Sequence, residues 1–213
     1  PGIQSAGEGN SGFYVRGGGP DQNLVLVDDA VVYNASHLFG FFSVFNPDAV
    51  KDIEVTKGTM PARFGGRVSS VLDIGLKEGN ARKTALSGGI GLISSRLTLE
   101  GPIVEDTVSY IISGRRTYID ILTRPFVNPE SAFAGSGYYF YDLNAKVNWR
   151  ASKRDQFYLS GYFGKDVFNF QSQSADFGSR IPWGNATVTA RWNHLINDRA
   201  FITTTATYSD YSF

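Results

Sequence analysis

From about residue 83 onward the side chains alternate in character with a period of two, almost without interruption. Across 138–151 the odd positions are Tyr139, Tyr141, Leu143, Ala145, Val147, Trp149 and Ala151, while the even positions include Asp142, Asn144, Lys146, Asn148 and Arg150. Across 185–196, Ala186, Val188, Ala190 and Trp192 oppose Asn185, Thr187, Thr189, Arg191 and Asn193. The pattern repeats through 156–163 and 202–209, and more weakly in three earlier segments. Period two puts each set on its own face of a sheet. One face is then apolar and the other carries Lys146, Arg150, Arg191 and several asparagines. A sandwich core cannot bury so many polar groups unpaired, because each would cost about 1–3 kcal/mol. That face must meet water or a polar partner.

The connections narrow the choice. Those at 101–106, 152–155 and 197–199 are short, and those at 119–137 and 169–182 are long. An antiparallel meander with tight turns at one end and large loops at the other is the pattern of an outer-membrane β-barrel. Trp149 and Trp192 each lie just before a short turn on the apolar face, where an interfacial aromatic girdle belongs. About seven such strands make only part of a barrel, since bacterial single-chain barrels have even numbers from about eight upward. An edge left open at Phe213 would also be an aggregation hazard, so the sheet is expected to continue. Alternation by itself is equally compatible with a soluble sheet that has one face on a core. The second reading is accordingly a soluble or surface β-rich carbohydrate-binding module.

Composition removes other classes. The formal net charge is zero, which argues against a nucleic-acid partner held by a basic surface. The absence of cysteine excludes a disulfide framework, a thiolate metal site and a Cys nucleophile. No nucleophile elbow, HExxH or paired-carboxylate pattern occurs, so no enzyme and no cofactor are expected. His37 and His194 do not make a metal site, because His194 has no acidic or Cys neighbour at ligand spacing. No run reaches the roughly 20 apolar residues of a membrane helix. The chain opens at Pro1 in a Gly/Ser-rich segment, which reads as an internal piece of a longer protein whose targeting segment lies outside it.

The first 82 residues read differently, as a small mixed α/β unit. Apolar runs at 24–27 and 31–33 flank an acidic turn, Asp28-Asp29, and suggest a hairpin. The aromatic run 36–45 lacks a clean period and fits a short helix or a packed loop. Asn46-Pro47 reads as an N-cap followed by a helical turn, then a central strand at 53–55. Gly17-Gly18-Gly19 lacks the Lys-Ser/Thr of a phosphate loop and reads as a turn.

Several phrases in this unit resemble, in residues, order and spacing, the plug of TonB-dependent outer-membrane receptors. They are Val15-Arg16-Gly17, Leu24-Val25-Leu26-Val27-Asp28-Asp29, Ile53-Glu54-Val55-Thr56-Lys57-Gly58, Ala62-Arg63-Phe64-Gly65-Gly66 and Val71-Leu72-Asp73-Ile74. The resemblance covers roughly residues 13–80, and Glu100-Gly101-Pro102 is similar to the family's first periplasmic turn. The stretch 37–50 is similar to the Bacteroidota-type receptors. The resemblance implies a plug domain over 1–82, followed over 83–213 by the opening strands of a 22-stranded transmembrane barrel in the bacterial outer membrane. It also implies import without chemistry on the substrate, gated by the plug and driven by TonB. The implied partners are TonB, outer-membrane lipid, a substrate such as a siderophore, cobalamin-like cofactor, glycan or peptide, and a surface lipoprotein. No TonB box and only about a third of the barrel are expected here, so this piece alone should neither engage TonB nor close a pore. Asp28-Asp29 stands where the family usually has Asp-Gly, so the turn is expected to differ.

By the same resemblance, Tyr33, Asn34, His37, Phe41 and Phe42 lie near the plug apex as substrate contacts, with packing of the plug core as the alternative for Phe41 and Phe42. Phe168, Phe170, Gln171 and Gln173 are weaker candidates. Arg16 and Arg63, with Arg67 beside them, are expected to lock the plug by pairing with inward carboxylates of the barrel. Glu100 is the first of these, and later strands are the other source.

Overall fold

The computed structural model describes residues 2–5, 12–126, 136–172 and 177–213, and Gln173 lies outside them. Two short strands, β1 (Ile3–Ser5) and β2 (Phe13–Val15), pair at the start. The N-terminal unit is then built on a four-stranded sheet in the order β4-β3-β8-β7, from β3 (Asn23–Val27), β4 (Ala30–Val31), β7 (Val50–Lys57) and β8 (Ser70–Leu76). A small hairpin of β5 (Ser36–His37) and β6 (Phe42–Ser43) stands between β4 and β7.

All five residues of β3 are buried, because it lies between β4 and β8 with apolar side chains on both faces. One face packs Val25 and Val27 with Leu72, Ile74 and Leu76. The other packs Leu24, Leu26 and Val71 beneath Met60 and Phe64. Asn23 closes the sheet's start, donating to the Phe13 carbonyl at 3.0 Å and accepting from the Ser70 hydroxyl at 2.7 Å.

Three local expectations change. The aromatic run forms neither a helix nor a simple loop, but the β5–β6 hairpin around a 3-10 turn at Leu38–Gly40. Asn46 does cap, its Oδ1 accepting from the Asp48 N–H at 3.1 Å, but only one turn follows before β7 begins. The strand through 53–55 is at the sheet's edge rather than its centre, and Ile53 and Val55 are exposed.

The second sheet has seven antiparallel strands, each paired with its sequence neighbours: β9 (Ala85–Ile90), β10 (Ser94–Val104), β11 (Val108–Thr117), β12 (Gly137–Arg150), β13 (Asp155–Ser172), β14 (Phe177–Asn197) and β15 (Ala200–Ser212). It curves round the N-terminal unit as an open wall. The unit lies on the polar face: Asn144, Lys146, Asn148, Asp142, Thr187 and Thr189 are buried beneath it, while Leu143, Trp149, Leu159, Val188 and Trp192 on the other face are exposed. Among the described residues no helix is long and apolar enough to cross a membrane. A tilted strand needs about 9–11 residues to do so, and β12, β13 and β14 have 14, 18 and 21.

The expected long connection at 169–182 is largely strand, since β13 runs to Ser172 and β14 starts at Phe177. Pro182 lies within β14, opposite Val167 of β13. The end asymmetry therefore rests on one large connection, after β11, which carries a short helix α1 (Ile119–Thr123).

Gly184 shows how closely β13 and β14 approach. A Cβ on it would lie 2.3 Å from the Gly164 carbonyl oxygen, which is backbone and cannot turn aside. Gly184→Ala should therefore loosen β13 against β14, read as faster amide exchange at residues 164–166 with β10 and β11 unchanged.

Candidate functional site

The contact between the N-terminal unit and the wall is polar around the acidic turn and aromatic around the β5–β6 hairpin. Asp28 and Asp29 are the two-residue loop of the β3–β4 hairpin, with φ of 46° and 72°. Both angles are positive, as a type I′ turn requires, so this hairpin keeps the tight geometry that Asp-Gly would give. Asp tolerates the left-handed region better than most residues, at a cost that glycine avoids.

Both carboxylates are used. Lys146 of β12 sets its Nζ 3.1 Å and 3.0 Å from the two Asp28 oxygens and donates to the Leu76 carbonyl at 3.0 Å. Asp28 Oδ1 also accepts from the Leu76 N–H at 3.2 Å. Asp28 and Lys146 are both buried. Arg191 of β14 donates to Asp29 Oδ2 at 2.6 Å in a half-buried pair.

A second set of contacts holds the β5–β6 hairpin. His37 is 1% exposed, its Nδ1 2.7 Å from Asp166 Oδ2 and its Nε2 3.5 Å from Asp142 Oδ2. Its ring stacks on Phe140 at 4.1 Å. Arg115 donates to Asp142 Oδ2 at 2.9 Å and 2.6 Å and to the Ser43 carbonyl at 2.7 Å. Burial alone would lower the His37 pKa, but its hydrogen bonds to Asp142 and Asp166 and their charges together hold it above the ordinary value. Nearby, Asn46 donates to Ser113 at 2.7 Å, Asn185 donates to the Asn34 carbonyl at 2.9 Å, and Arg96 pairs with Asp48 at 2.9 Å.

Above the hairpin lies an aromatic cup. Leu38 and Phe39 have φ of 51° and 53°, and this turn lifts Phe39 clear of the unit, 73% exposed. Its ring centroid is 5.9 Å from Tyr138, 5.9 Å from Phe168 and 5.3 Å from Trp183. A cavity of about 300 Å³ opens beside these rings, also lined by Asn34, Ser36 and Tyr211.

Residues 1–70 match the family model described as the TonB-dependent Receptor Plug Domain. Those residues, a third of the chain, are thus similar to a TonB-dependent receptor plug domain. Solved structures share its fold over nearly the whole chain. The siderophore receptor PirA from Acinetobacter baumannii is 20% identical with a TM-score of 0.68, over 98% of this chain and 36% of that one. The outer membrane transporter YddB from Escherichia coli is 13% identical with a TM-score of 0.69, over 98% and 35%. A ferric enterobactin receptor mutant of Pseudomonas aeruginosa, solved with enterobactin, is 21% identical with a TM-score of 0.65, over 99% and 37%. The chain thus spans just over a third of the length of these structures, corresponding to the plug and the first barrel strands. No curated protein matches it in sequence.

The plug arginines do not make the expected contacts. Arg16, Arg63 and Arg67 are exposed, and neither they nor Glu100 forms an ion pair among the described residues. Arg63 lies 4.5 Å over the Phe64 ring and borders a cleft of about 900 Å³ with Asp73, Arg191 and the β15 threonines 203, 205 and 207. That cleft is bounded on one side by β15. The pairs that do form run mainly the other way, from wall cations to plug carboxylates. Lys146 and Arg191 were legible as charges on the polar face, but their partners were not, because register decides which turn they reach.

Of the apex residues, His37 is buried and takes no part in an accessible surface, correcting its reading as a substrate contact. Phe42 packs on Phe140 at 5.5 Å. Tyr33 is 56% and Phe41 63% exposed, and Asn34 is half-buried against β14. Phe39, Tyr138 and Trp183 complete the cup and were not singled out. Phe168 reaches it, whereas Phe170 pairs with Phe177 at 6.2 Å, and Gln171 is exposed. Trp149 and Trp192 flank Phe157 at 5.2 Å and 6.1 Å on the outer face, at the short-turn end. His194 does have an acidic partner, Asp155 at 2.7 Å, supplied across the strand pair rather than along the chain.

Asp28→Ala should strand Lys146 in the seam and destabilise the plug by about 3–5 kcal/mol. Asp29→Gly relieves a left-handed residue and loses a half-exposed pair, a net change within about 1 kcal/mol. Calorimetry of the full-length receptor, following the plug transition, separates the two.

Proposed function

We propose that the chain is the plug and opening barrel strands of a transporter that imports its substrate across the bacterial outer membrane, with TonB driving rearrangement of the plug. The plug comprises residues 1–82 and the barrel part 83–213, as a multi-pass β-barrel with Trp149 and Trp192 in the inner interfacial girdle. The observation that carries this reading is the seam. A small domain lies on the polar face of a curved sheet, joined to it by ion pairs and hydrogen bonds. A carbohydrate-binding sandwich would instead pack its apolar face on a second sheet. A seal made of polar contacts can be rearranged without exposing a dry core, because water replaces each lost bond.

The aromatic cup is the docking site we assign to the substrate, with Tyr33, Asn34, Phe41 and Phe42 at its edge. Large rings interleaved with amide and hydroxyl groups suit a ligand offering flat apolar faces and hydrogen-bonding edges. Siderophores, cobalamin-like cofactors, glycans and peptides all include such compounds. Arg16, Arg63 and Arg67 are assigned a locking role toward strands that follow Phe213, since Arg63 already borders the cleft beside β15. A surface lipoprotein over the outer loops is a further partner of this reading, and the Bacteroidota-type assignment rests on the 37–50 stretch.

The full-length receptor should fractionate with the outer membrane, require detergent, and capture the periplasmic domain of TonB. Recovery as a soluble compact monomer would overturn the proposal. In a binding panel of ferric siderophores, cobalamin, oligosaccharides and peptides, Phe39→Ala should weaken the compound that binds by about tenfold.

A further inference from the structure

We infer that His37, Asp142 and Asp166 form a proton-operated latch between the plug hairpin and the barrel wall. With the imidazolium present the hairpin is held, and when its proton leaves the hairpin is freed. The inference rests on the seam's geometry and is independent of what the transporter carries.

The charges balance in only one protonation state. Facing His37 are Asp142 and Tyr138 from β12, Asp166 and Tyr162 from β13, and Arg115 from β11. Arg115 is committed to Asp142, so the two carboxylates and one guanidinium leave one negative charge for His37 to neutralise. The ring is placed to do so with both nitrogens, Nδ1 toward Asp166 at 2.7 Å and Nε2 toward Asp142 at 3.5 Å. A neutral ring donating from Nδ1 would turn its Nε2 lone pair toward the Asp142 oxygen, with only the Tyr162 hydroxyl at 3.5 Å as a donor to it, in a buried site where such repulsion is poorly screened. One Asp142 oxygen, Oδ1, already lacks a hydrogen-bond partner.

The other carboxylate, Asp166, also holds the tip of the hairpin. Asp166 Oδ1 accepts from the Leu38 N–H at 3.2 Å and from the Tyr138 hydroxyl. Leu38 and Phe39 are both left-handed, a conformation that L residues with side chains keep only when contacts enforce it. Loss of the His37 charge weakens the hold on β5, and the strained tip can then relax and withdraw Phe39 from Tyr138 and Trp183. The latch and the cup are thus joined through two residues of backbone.

The sign follows from the raised pKa of His37. Its contribution is complete below the ordinary histidine value of about 6.5 and is lost as pH rises through the higher folded-state value. The test is amide exchange of the full-length receptor in detergent micelles from about pH 5.5 to about pH 9, corrected for intrinsic rates. The peptide covering 36–43 should lose about tenfold in protection in a one-proton step above the ordinary value, while 23–27 of β3 stays constant. A flat wild-type profile would overturn the latch without any variant being needed. His37→Gln should show low protection at every pH and no step; retention of the wild-type step would place the proton elsewhere. Asp142→Asn should move the step to lower pH, because the asparagine amide can donate to Nε2 of a neutral ring. An unmoved step in that variant would also contradict the proposal.

Discussion

Lys146 reaches from β12 into the tip of the β3–β4 hairpin and meets both Asp28 oxygens and the Leu76 carbonyl at once. That contact ties together the turn, the end of β8 and the wall. Replacing a buried ion pair by apolar groups of the same volume is often neutral or stabilising, so its value here is unlike that of a core contact. What it fixes is position. The hairpin can sit against the wall only where Lys146 and Arg191 meet two adjacent carboxylates, and such a demand specifies one register. Asp29, which replaces the usual glycine, accepts a left-handed backbone and gains Arg191 in return.

The remaining seam follows the same logic. The apolar contacts of the plug's sheet lie mostly within it, with Tyr162 as a contribution from the wall, while Leu38 and Phe42 of the hairpin pack on Tyr138, Phe140 and Trp183. Away from that aromatic patch the contacts between the two units are chiefly amides, hydroxyls and charges, several of them with an unsatisfied atom, as at Arg191 Nε, Asn193 Oδ1 and Asn144 Nδ2. Such a surface is held by many individually modest bonds. It can be specific at rest and still separable, as the proposed gating role requires.

Much of the architecture was legible because period two is a local signal. Residues 138–151 and 185–196 name their own faces, and the polar face is the one the plug covers. The Asp28-Asp29 hairpin was likewise local. What escaped was long-range or masked by composition. His37 looked like an apex aromatic, because nothing within a few residues shows that Asp166, 129 positions away, folds against it. Arg63 and Arg16 looked like the lock through the family resemblance, whereas the strands present here supply the cations themselves. The 169–182 segment looked like a loop, yet Pro182 is carried inside β14 opposite Val167 of β13, a pairing set by register and not visible locally.

The central claim is that the Asp28–Lys146 pair couples the plug to the wall. A double-mutant cycle on the full-length receptor, with Asp28→Asn, Lys146→Met and both together, isolates that coupling from the folding of either part. Following the plug transition by calorimetry, the account predicts a coupling energy of about 1–3 kcal/mol, with the double variant recovering part of what either single change loses. Two single losses that simply add, with no coupling, would contradict it.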